Sequence, residues 1–125
     1  MGRSEYGFII NSIDELKLII NIIKSHNECE NYDLVGETLH VIGFLNYGKR
    51  CALLAHNSGG RDATTTWFES YLPITMEWYP PFEKPDDWLE STDYICVMTN
   101  INEENNLMEG WIPESVNTFL TSRKF

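Results

Sequence analysis

The chain has 125 residues, 42% apolar, 13% aromatic and 22% charged, with a formal net charge of −10. That length supports one domain spanning residues 1–125 around a single core, and the apolar and aromatic content excludes a disordered acidic tail. The negative balance disfavours nucleic acid and anionic membrane surfaces as partners and favours a basic protein through electrostatic steering.

Residues Met1 to Phe8 hold one arginine and no apolar run, so neither a signal peptide nor a membrane span is expected. Tyr6, Phe8 and Ile10 alternate, which predicts a strand over residues 5–10. Ser12 precedes Glu15 by three positions, the pattern of a capping box. Ile13, Leu16, Ile19, Ile20 and Ile23 then follow at helical spacing, with Asp14, Lys17, Asn21 and Lys24 on the solvated side. The period stops near His26 and Asn27, where the helix should end.

Leu39, Val41, Ile42, Phe44 and Leu45 form one apolar run, and Cys51, Ala52, Leu53 and Leu54 form a second. Gly48 in the link between them predicts a hairpin, and the near-continuity of both runs predicts a sheet covered on both faces. Residues 57–62 are the strongest break, and Thr64 to Phe68 favour another strand. Residues 71–85 contain four of the five prolines, which excludes a regular helix and leaves an irregular excursion or an edge strand. Asp86 or Asp87 is suited to cap a short turn through Trp88 and Leu89. Tyr94 to Met98 is a compact strand candidate, and Pro113 opens a last helix with Val116, Phe119 and Leu120 on one side. This order predicts an α+β fold, a mainly antiparallel β-sheet packed by one or two α-helices in a single domain.

Catalytic and metal chemistry find little support. His26, His40 and His56 are 14 and 16 residues apart, which matches no compact ligand motif. His40 is expected as a sheet residue and His26 as a helix-end residue. Cys29, Cys51 and Cys96 are an odd number without C-x-x-C spacing, expected as reduced thiols in a cytoplasmic protein. Cys51 opens an apolar strand, the place of an inert core thiol. The paired acids lack the alternation of a calcium loop, and sequence neighbours such as Asp86 and Asp87 diverge too far for glycosidase geometry. No metal, cofactor or catalytic residue is expected. The segment His56, Asn57, Ser58 to Arg61 offers glycines, polar groups and a guanidinium. A small-ligand or nucleotide site there is therefore the alternative, without the spacing of a phosphate-binding loop.

Charge and tryptophan carry the main expectation. Residues 63–122 contain eleven carboxylates, one base and all four tryptophans. Within them, Glu77, Trp78, Glu83, Asp86, Asp87, Trp88 and Glu90 share a proline-broken segment that regular structure does not absorb. Rings among carboxylates can cover Lys and Arg by ion pairing and cation–π contact, so these seven residues are the candidate partner-binding set. With the stretch from Trp67-Phe68-Glu69 through Trp88-Leu89-Glu90, the small size and the α+β order, the chain resembles the small acidic immunity proteins of bacterial polymorphic-toxin and contact-dependent growth-inhibition systems. That resemblance implies a cytosolic inhibitor that binds a cognate toxin domain, often a basic nuclease. An acidic decoy of nucleic acid is a further alternative. It calls for carboxylates over most of the surface, whereas here the N-terminal half is near balance.

Overall fold

The computed structural model describes residues 4–29, 38–47, 50–57, 78–79, 94–98 and 100–122. Within them the elements run β1 (Ser4–Ile10), α1 (Ile13–Glu28), β2 (His40–Tyr47), β3 (Arg50–Asn57), β4 (Trp78–Tyr79), β5 (Tyr94–Val97), α2 (Ile101–Met108) and α3 (Glu114–Thr121). The strands form one sheet in the order β4-β1-β3-β2-β5, with every neighbouring pair antiparallel. The α+β expectation holds, with three described helices where one or two were expected.

The centre of the sheet is a split β-α-β unit. Both β1 and β2 run antiparallel to β3, so they are parallel to each other with β3 inserted between them, and α1 makes the crossover. The start of α1 is fixed by its sequence. Ser12 Oγ accepts from the Glu15 amide at 3.1 Å, and Glu15 Oε1 accepts from the Asn11 amide at 2.8 Å. The carboxylate thus reaches one residue further back than in a standard capping box. At the other end Asn27 clamps Leu39, accepting from its N–H and donating to its C=O, both at 2.8 Å. That two-point contact sets where the chain enters β2. His26, 1% exposed, lies beside it with Nδ1 3.2 Å from Asn27 Oδ1, a structural helix-end histidine as expected.

The main core lies between the sheet and the helices. Tyr6, Phe8 and Ile10 from β1, Cys51, Leu53 and Ala55 from β3, and Val41 and Phe44 from β2 meet Leu16, Ile19 and Ile23 of α1, Leu107 of α2, and Val116 and Leu120 of α3. Ile9, Leu45, Ala52 and Leu54 form a smaller buried cluster on the second face, with Ile42 and Tyr94 packed against it. Burial on both faces is what the unbroken apolar runs predict.

Two irregularities make those runs fit. Val41 pairs with Ala55 but the next pair is Gly43 with Leu54, so Ile42 is an extra residue in β2. Regular alternation through Ile42, with no bulge, would turn either Val41 or Phe44 away from the helices. On β5, Cys96 pairs with Phe44 and Tyr94 with Leu45, which leaves Ile95 as the extra residue. Ile95 and Cys96 can then both pack on the main core while Tyr94 serves the second cluster.

The helix α2 was not expected from sequence. Asn100 caps it, its Oδ1 accepting from the Glu103 backbone amide at 2.9 Å while its side-chain Nδ2 donates to Glu103 Oε1 at 3.1 Å. The Asn-x-x-Glu spacing of a cap is present, but only Ile101, Leu107 and Met108 are apolar, too few to show a period. In the proline-rich stretch, Trp78 and Tyr79 pair with Phe8 and Gly7 at the sheet edge, in keeping with the edge strand expected there. The strand expected over 64–68 and the turn expected at Trp88-Leu89 lie outside the described residues.

Candidate functional site

The described part of the acidic half is built on α2 and the turn into α3. The helix α2 ends in a Schellman motif: the Gly110 amide donates to Leu107 C=O at 3.0 Å and the Trp111 amide to Asn106 C=O at 2.9 Å. Gly110 has φ +109, a conformation side-chain-bearing residues rarely adopt. These two hydrogen bonds hold Trp111 at a fixed point on the surface, where it is 46% exposed. The Glu109 side chain before it is 76% exposed. Pro113 then starts α3, and Glu114 in its first turn is exposed. The turn therefore presents a large ring flanked by two carboxylates within six residues.

Trp111 was not among the residues singled out by sequence. The signal was a glycine and a tryptophan directly after a polar, acidic run and before a helix-starting proline. Of the seven expected residues, the backbone of Trp78 is placed at the edge of the sheet. Glu77, Glu83, Asp86, Asp87, Trp88 and Glu90 lie outside the described residues.

The alternative ligand segment begins at the end of β3. His56 pairs across the sheet with Glu5 on β1 and with His40 on β2, and the two imidazole centroids are 6.0 Å apart. Ser58 and Arg61 lie outside the described residues. On the far side of His40 stands Glu104 of α2, its side chain 14% exposed. Glu104 Oε2 accepts from the Val41 amide at 2.8 Å, and Oε1 is 3.4 Å from His40 Nδ1. The carboxylate joins the helix to β2 next to the Ile42 bulge, a structural role. Among the described residues no group of three His, Cys, Asp or Glu is placed to hold a metal ion.

No disulfide joins the three cysteines, and Cys51 is fully buried in the main core, the place expected for it. Burial pushes the Cys96 thiol pKa up; a hydrogen bond with Ser115 opposes this and the Glu103 carboxylate adds to it. A thiol held in its neutral form is a poor nucleophile. Among the described residues no helix is long and apolar enough to cross a membrane. Comparison with protein families, with curated proteins and with solved structures finds no match to this chain.

Proposed function

We propose that this protein is a non-enzymatic, protein-binding inhibitor, an immunity protein that neutralises a cognate toxin domain with a basic surface in the cytoplasm. The observation that carries the reading is Trp111, half exposed on a hydrogen-bonded turn between exposed Glu109 and Glu114. A turn whose backbone is fixed before binding loses little entropy when a partner covers its ring, and carboxylates around it steer and orient basic side chains. The segment holding Glu77, Trp78, Glu83, Asp86, Asp87, Trp88 and Glu90 carries the same kind of chemistry, and its described part, the Trp78–Tyr79 backbone, pairs with β1 at the sheet edge opposite β5.

The test is to read the neighbouring reading frame for a toxin domain and to titrate that domain calorimetrically against the chain. Trp111→Ala should weaken binding at least about tenfold, the loss typical of an anchoring aromatic residue. Charge reversal at Asp86 and Asp87 should weaken it further and flatten its dependence on salt. Absence of binding, or affinity unchanged by Trp111→Ala, overturns the assignment of this surface.

A further inference from the structure

A groove runs between α1 and the α2–α3 turn, and it shares Glu109 with the turn that presents Trp111. Lys17, Ile20, Asn21 and Lys24 form one wall, and Met108, Glu109, Gly110 and Ile112 the other, around a cavity of about 380 Å³. That lies within the usual size range of small-molecule sites. Its apolar part is Ile20, Met108 and Ile112, all packed on the main core. Lys17 and Lys24 are seven residues apart on α1, two turns along the same side. Beyond Lys24 the groove continues towards Asn27, Glu28 and Asn105.

Charge is distributed unevenly along it. The acids Glu28 and Glu109 lie at the Lys24 end, where Lys24 Nζ is 3.7 Å from Glu109 Oε2 in an exposed, weak pair. Lys17 has no carboxylate partner among the described residues. The Lys17 end is thus a local positive site with an amide beside it and an apolar floor, in a chain of net charge −10. At the opposite lip, nothing stands within 4 Å of where a Gly110 Cβ would be, so the mouth is open there.

We propose that this groove binds a small amphipathic organic anion, a carboxylate bearing a short acyl chain. The carboxylate accepts from Lys17 Nζ and Asn21 Nδ2, and the chain lies on Ile20, Met108 and Ile112. The groove shares Glu109 with the proposed docking turn, but neither reading requires the other, so a failure of octanoate binding leaves the protein-binding reading untouched.

Octanoate titrated into the full chain, followed by amide chemical shifts and thermal midpoint, tests the proposal, with octanol as the uncharged control and inorganic phosphate as the control without an acyl chain. Octanoate should perturb Ile20, Asn21, Met108, Gly110 and Ile112 saturably and raise the midpoint. Both controls should bind at least about tenfold more weakly, because each lacks one half of the recognition. Lys17→Gln should weaken octanoate roughly five- to tenfold, whereas Glu109→Gln, which releases Lys24, should tighten it. Both positions are exposed, so both variants fold. Octanol binding as tightly as octanoate, shifts that never saturate, or equal affinity in Lys17→Gln and the parent chain overturns the proposal.

Discussion

At Gly43 the backbone of β5 comes so close that a Cβ would stand 2.5 Å from the Cys96 carbonyl oxygen and 3.1 Å from Val97 Cα. Both atoms are main chain, so no side-chain rotation relieves the clash; β5 itself has to move. Gly43→Ala is therefore expected to cost about 1–3 kcal/mol, read as a lower urea midpoint. The Met98 amide, which donates to Ile42 C=O at 2.8 Å, should exchange faster in the same variant. Gly110 is a contrasting case: nothing crowds it, but its φ of +109 is strained for any side chain. Gly110→Ala should cost about 1–2 kcal/mol by that route and leave the Met98 amide protected. A Met98 amide unaffected by Gly43→Ala would show that the β2–β5 approach is not as tight as the geometry has it.

Among the elements, α2 has the most to do for its length, since it caps, bridges and presents. Glu104 ties it to β2 through the Val41 amide, which no β5 residue reaches because that strand pairs only with Gly43, Phe44 and Leu45. Glu104→Ala leaves that N–H without its acceptor and should cost about 1–3 kcal/mol, while Glu104→Gln keeps a carbonyl oxygen in place and should cost less. Equal costs for the two variants would mean that the hydrogen bond contributes nothing specific. The longer elements were legible in sequence because burial imposed a period on them: Tyr6, Phe8 and Ile10 along β1, and Leu16, Ile19 and Ile23 along α1. The helix α2 buries only Leu107, and one buried position sets no period; its identity rested on the Asn100–Glu103 cap, which looks the same as a polar loop. The Ile42 and Ile95 bulges were hidden for a related reason. With both faces of the sheet apolar, a one-residue slip leaves no polar residue out of place to report it. Trp111 was passed over because sequence weights exposed rings by their neighbours, whereas its exposure follows from the Gly110 turn.

Over the whole molecule, the unbalanced charge has opposite consequences for the free and the bound chain. Residues 63–122 hold eleven of the nineteen acids and one of the nine bases, and a net charge of −10 repels itself more in the compact chain than in the unfolded one. The exposed pair of Lys24 with Glu109 does little to offset this. Sodium chloride shortens the reach of that repulsion to about 10 Å at 0.1 M and further above it, so the thermal midpoint of the free chain should rise between about 0.02 and 0.5 M salt. The same screening weakens the attraction for a basic partner, so the dissociation constant should rise over the same range. A bound basic partner already neutralises the acids, which makes the midpoint of the complex less sensitive to salt than that of the free chain. Measured together, the two salt dependences separate a docking surface from acid that only keeps the chain soluble: in the second case the midpoint of the free chain still rises, but adding the basic domain leaves its salt dependence unchanged.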